Sequence, residues 1–144
     1  MGKEKITSNA DVAWLFRALE TEAVESAYAV HVKADGSYFV QHLSIGTANA
    51  TVIDLPAITA TAIRMKSKKV FLVHNHPSGN IVSSNADRSI LSKLKDALRG
   101  TAEVKGIIIN VNHGIYGEFD DFNPDVRMTF DEKDWKQSEL VQLN

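Results

Sequence analysis

The sequence contains no cysteine and only three prolines among its 144 residues. Disulfides and thiolate metal sites are therefore excluded, and any metal must be held by histidine, carboxylate, carbonyl or water. The N-terminal residues 1–5 lack the apolar segment of a signal peptide. No apolar run approaches the ~20 residues that a transmembrane helix needs. We therefore expect a cytoplasmic protein with no membrane association.

Positively and negatively charged residues are also nearly balanced in number. The formal net charge is −2, with 24% charged and 44% hydrophobic residues, which is ordinary for a soluble globular domain. This charge gives no general attraction for nucleic acid or anionic lipid. We expect one domain over residues 1–120. The acidic, weakly patterned residues 121–144 are expected to form an extension that packs on the domain or is partly flexible.

Hydrophobic periodicity predicts a mixed sheet of five or six strands with about three helices, an α/β layered domain. The helices are predicted to begin at Ser8, to run from Leu55 to about Lys66, and to run from Ser84 to Arg99. The strands are predicted over residues 25–33, 37–43, 50–54, 69–73, 104–111 and 115–119.

The most informative segment begins with His74-Asn75-His76, at the end of a nearly all-apolar strand. Side chains alternate along a strand, so His74 and His76 can point to the same side. Asp87 opens the following helix and can close back on them. Two imidazole nitrogens and one carboxylate oxygen are the three protein ligands of a typical catalytic zinc site, whose fourth position is left for water.

Hydrolysis at such a site also requires a base that takes a proton from the attacking water. The upstream candidates are Glu20, Glu22 and Glu25, and Glu25 is the best placed, at the junction of the first helix and first strand. Ser84, one turn before Asp87, could donate to the oxyanion of a tetrahedral intermediate.

Each of these residues also has a simpler interpretation. Ser84 and Asp87 form a good helix-capping box that needs no metal. A lone His-x-His pair can be two turn histidines, and Glu25 alone can be a solvated residue at the start of a strand. The remaining histidines, His31 among them, are expected to be surface or half-buried residues.

The combination resembles the JAMM superfamily, also called MPN+ or JAB. Its signature is a distant glutamate, then His-x-His, seven residues, and Ser-x-x-Asp, and the spacing from His74 to Asp87 matches it. The run His-Asn-His-Pro-Ser-Gly over residues 74–79 is similar to the RadC-like branch. Residues 25–32 and 46–50 resemble two further segments of that branch. The resemblance covers residues 6–119.

This resemblance implies the three-layer α/β JAMM fold (JAB/MPN, cytidine deaminase-like), with a mixed sheet flanked by helices. It assigns one zinc ion per chain to His74, His76 and Asp87. It assigns the general base to Glu25 and oxyanion stabilisation to Ser84. The implied activity is that of a metallopeptidase or isopeptidase, and the implied partner is a peptide or protein substrate of unknown identity.

Alternatives come from other classes of protein. A non-proteolytic, DNA-associated or mobile-element accessory protein could use the same metal-binding fold. The family association allows nucleic acid as a partner, although the net charge argues against it. A zinc nucleobase deaminase requires cysteine ligands, and the His-Asn-His letters match the dispersed HNH nuclease motif only by accident. A homodimer is a further expectation.

The sequence departs from the RadC-like pattern outside the residues assigned to the metal. One departure lies in the strand predicted over residues 104–111, where Lys105-Gly106 replaces the Asp-His pair of the family. These departures bear on substrate recognition rather than on metal binding.

Overall fold

The computed structural model describes residues 5–17, 25–45, 53–76, 83–110, 115–120 and 126–129. These residues form a six-stranded sheet in the order β2-β1-β3-β4-β5-β6. In chain order the elements are α1 Asn9–Leu15, β1 Ser26–Val32, β2 Tyr38–Ile45, α2 Leu55–Arg64, β3 Lys69–His76, α3 Asn85–Ala97, β4 Glu103–Asn110, β5 Ile115–Phe119 and β6 Val126–Thr129.

The sheet is mixed. β3 and β4 are parallel, and every other described neighbouring pair is antiparallel. A parallel pair requires a crossover connection, and α3 provides it between β3 and β4. The described helices lie on both faces: α1 packs into the core on one side, and α2 and α3 pack into the core on the other. The predicted three-layer α/β fold is confirmed.

The side chains of β3 alternate between these two cores. Phe71 and Val73 belong to the core on the α1 side, whereas Val70 and Leu72 belong to the core beneath α2 and α3. Continued alternation places His74 and His76 on the α2/α3 face and the residue between them on the α1 face. The sheet thus directs both histidines toward the helix that carries Asp87.

Polar side chains cap the N-termini of the helices. Asp11 N donates to Ser8 Oγ at the start of α1, over 3.2 Å. Ala57 N donates to Asp54 Oδ1 at the start of α2, over 3.1 Å. Such caps satisfy N–H groups that have no partner within the helix. The prediction that a helix begins at Ser8 is confirmed.

Some strands differ from the sequence prediction or extend it. β3 continues past Val73 to His76, because β4 pairs with it as far as Asn110. In the strand predicted over residues 50–54, residues 53 and 54 are not strand, and residues 50–52 lie outside the described part of the chain.

A sixth strand, Val126–Thr129, pairs antiparallel with β5 within the predicted extension 121–144. The domain boundary at residue 120 stays a prediction. Within the described part of the chain, no helix combines the length and the apolar character needed to cross a membrane.

Candidate metal centre

The end of β3 and the start of α3 bring three predicted ligands together. The Nε2 atoms of His74 and His76 lie 3.1 Å apart. Asp87 Oδ1 lies 3.2 Å from His74 Nε2, and Asp87 Oδ2 lies 3.4 Å from His76 Nε2. The Asp87 carboxylate therefore spans both imidazoles, with one of its oxygens near each Nε2.

The electrostatics of Asp87 favour the ionised carboxylate. Burial by itself would raise the pKa of this group, but hydrogen bonds from His74 and His76 and the backbone N–H of Ser84 outweigh it. The net effect holds the pKa of Asp87 well below its ordinary value. An ionised carboxylate beside two imidazoles is a donor set suited to a divalent cation.

Ser84 fixes the orientation of Asp87 through a reciprocal cap. Asp87 N donates to Ser84 Oγ over 3.1 Å, and Ser84 N donates to Asp87 Oδ2 over 2.8 Å. The capping box predicted from the sequence is confirmed. Since Ser84 Oγ accepts the bond from Asp87, its hydroxyl proton is still available for donation. Ser84 can thus cap α3 and also act beside a bound metal.

Glu25 joins the two histidines from the position directly before β1. One carboxylate oxygen of Glu25 and one nitrogen each of His74 and His76 all lie within 4.8 Å of one another, in a group that could hold a metal ion. The pairing of β1 with β3 explains this proximity. Ala27, two residues after Glu25, lies opposite His74 in the last described pair of these strands, so Glu25 lies near the end of β3. Glu20 and Glu22 lie outside the described residues.

Phe119 is a neighbour of the site that the sequence prediction missed. Its ring meets the His74 ring edge-on, with centroids 5.8 Å apart at 82°. The same ring helps to line a mainly apolar recess that adjoins His74 and Asp87. Phe119 ends the predicted strand β5, but no local pattern indicates that β5 lies beside the histidines. Only the strand order reveals the contact.

His31 lies away from this site, and the expectation that it is a surface or half-buried residue is wrong. It is fully buried: its Nε2 lies 2.9 Å from Gln41 Oε1 and its Nδ1 lies 3.3 Å from Ser67 Oγ. Burial is the larger influence and lowers the pKa of His31, while the bond to Gln41 raises it. His42 is exposed, and His113 lies outside the described residues.

Comparison with known proteins identifies the family. Residues 6–113 match the family model described as "RadC-like JAB domain". The chain belongs to the RadC-like JAB domain family. The family resemblance predicted from the His-x-His spacing is therefore confirmed, and the match includes every residue assigned to the site.

Several relatives carry the name "UPF0758 protein". One from Chlorobium chlorochromatii is 36% identical over 95 residues, which cover 65% of this chain and 43% of the relative. One from Pelodictyon phaeoclathratiforme is 33% identical over 96 residues, which cover 65% of this chain and 43% of the relative. One from Staphylococcus haemolyticus is 29% identical over 118 residues, which cover 81% of this chain and 50% of the relative. This RadC-like domain therefore spans half or less of the length of these curated relatives.

Proposed function

We propose that this chain is a zinc-dependent hydrolase that cleaves a peptide or isopeptide bond. The observation that carries the proposal is the convergence of Glu25 with His74 and His76, within 4.8 Å. A catalytic zinc site needs only three protein ligands, so we assign the further carboxylate, that of Glu25, to proton transfer. Membership of the RadC-like JAB domain family supports the same chemistry.

The spacing of the donor atoms supports zinc. Zinc bonds of about 2.0–2.1 Å in a tetrahedral site imply about 3.3 Å between neighbouring ligand atoms. The two Nε2 atoms lie 3.1 Å apart, and the nearest Asp87 oxygens lie 3.2 Å from His74 Nε2 (Oδ1) and 3.4 Å from His76 Nε2 (Oδ2). We therefore assign one zinc ion per chain to these three residues. When bound, zinc supplies a Lewis acid that polarises the scissile carbonyl and acidifies water.

The protein residues then have distinct tasks. Glu25 accepts a proton from the attacking water at its carboxylate and passes it to the nitrogen of the leaving amine. Ser84 donates its hydroxyl proton toward the carbonyl oxygen as negative charge develops there. Asp87, held by the cap, keeps its carboxylate turned toward His74 and His76. The peptide or protein substrate itself, the cytoplasmic location and the homodimer stay predictions.

The test is hydrolysis of an internally quenched peptide library by zinc-loaded protein. We expect cleavage that a chelator abolishes and that Glu25→Gln reduces about 10²–10⁴-fold, the typical contribution of a general base. Zinc affinity should persist in Glu25→Gln and be lost in His76→Ala. Cleavage that is unaffected by Glu25→Gln contradicts the proposal. Salt-dependent retention of DNA without any cleavage would favour the accessory-protein alternative.

A further inference from the structure

Asn75 lies between the two histidines and is turned away from them. It is completely buried in the structure. Strand alternation places its side chain on the α1 face of β3, near Phe71 and Val73, whereas His74 and His76 point to the other face. A buried amide in such apolar surroundings is costly unless its polar atoms are hydrogen-bonded. The position therefore calls for a specific partner.

One such partner is the backbone of β1. Ser26 N donates to Asn75 Oδ1 over 2.8 Å, in a bond that is buried and joins residues 49 positions apart. Ser26 is the first residue of β1 and directly follows Glu25. The described backbone pairing of β1 with β3 begins one residue later, at Ala27 and His74. The Asn75 amide thus holds β1 at the point where the pairing ends.

We propose that Asn75 is a positioning residue that sets the Glu25 carboxylate relative to His74 and His76. This inference rests on the proposed function of Glu25 as general base. The residue that separates the two ligands on β3 binds the backbone next to the base on β1. This buried hydrogen bond therefore ties the residue that follows the base to the strand that carries the histidines. A displacement of about 1 Å in such a group can reduce a rate about 100-fold.

The first measurement does not depend on hydrolysis. In Asn75→Leu, which removes the acceptor at similar volume, the Ser26 amide should exchange with solvent about tenfold faster. In Asn75→Asp, which keeps an acceptor oxygen, much of the protection should return. Zinc affinity should fall by less than about tenfold in both variants, because the ligands point to the opposite face. Asn75→Ser replaces the leucine variant if that variant does not fold.

The second measurement separates positioning from a purely structural role. Asn75→Leu should slow cleavage of the quenched peptide library about 10- to 100-fold, but should cost little more when Glu25→Gln is already present. Ser67→Ala is the matched control. It removes another buried polar contact, that with His31, beyond the opposite end of β3. It should leave both Ser26 exchange and the cleavage rate unchanged.

Two results would overturn the inference. One is an unchanged Ser26 exchange rate in the folded Asn75→Leu or Asn75→Ser variant. The other is that Asn75→Leu slows cleavage by the same factor whether position 25 holds Glu or Gln. Failure of the proposed function is distinct, because it appears as equal cleavage by the wild type and Glu25→Gln, whatever residue occupies position 75.

Discussion

Phe119 lies directly over Gly106, so a methyl group added at Gly106 would come within 2.3 Å of the Phe119 ring. The two residues are paired across β4 and β5. The same ring meets His74 edge-on. The missing side chain at Gly106 therefore leaves room for an aromatic ring next to the metal centre. This explains why a residue without a side chain is accommodated in the middle of a buried strand.

Gly106→Ala should therefore destabilise the protein and disturb the site. We expect a loss of about 1–3 kcal/mol in the free energy of unfolding, the usual cost of an overpacked core. Zinc affinity should also fall, because the displaced Phe119 ring moves against His74. Urea denaturation and a competitive zinc titration measure the two effects. In a Phe119→Leu background the same substitution should cost less, and an equal cost in both backgrounds would contradict the steric explanation.

The two functions of Ser84 can be separated by comparison with Ser8. Each residue caps a helix by accepting a hydrogen bond from the backbone N–H three residues later. Ser84→Ala and Ser8→Ala should each lower the free energy of unfolding by about 0.5–2 kcal/mol. Only Ser84→Ala should lower zinc affinity, because loss of its Oγ loosens the helix start at which the backbone N–H of Ser84 holds Asp87 Oδ2. Equal zinc affinity in the two variants would show that the cap does not matter to the metal.

His31 should make stability depend on pH. Its pKa is lowered in the folded protein, so as the pH falls below about 6.5 the unfolded chain takes up the proton first. Above that pH the neutral ring therefore makes its full contribution to the free energy of unfolding. This contribution declines on acidification by at most about 1.36 kcal/mol per pH unit, down to the folded-state pKa.

Urea denaturation from pH 7.5 to 5 tests this expectation. His31→Gln should flatten the pH dependence relative to the wild type, whatever its effect on overall stability. His42→Gln, at an exposed position, is the control for the replacement of a histidine as such. The wild type and His31→Gln share the other four of the five histidines, so the difference between these two proteins isolates His31. An identical slope in His31→Gln would mean that its burial does not control its protonation.

Much of the fold and part of the site could be predicted because the relevant signals are local. Alternation along β3 indicates that His74 and His76 share a face, and the Ser84-to-Asp87 spacing indicates a capped helix. The bond between Asn75 and Ser26 and the contact between Phe119 and Gly106 could not be predicted. Each depends on which strands are neighbours in the sheet, and that order is fixed by tertiary packing rather than by any single segment.

Zinc should stabilise the folded chain through the convergence of ligands from β3 and α3. A ligand that binds only the folded state at 100 times its dissociation constant adds about 2.7 kcal/mol to the free energy of unfolding. We expect a stabilisation of this order in the wild type and its reversal by a chelator. Glu25→Gln should retain it, because the carboxylate is assigned to proton transfer rather than to ligation. Asp87→Asn and His76→Ala should lose it. The same loss in Glu25→Gln would instead make Glu25 a ligand and remove the base from the proposed reaction.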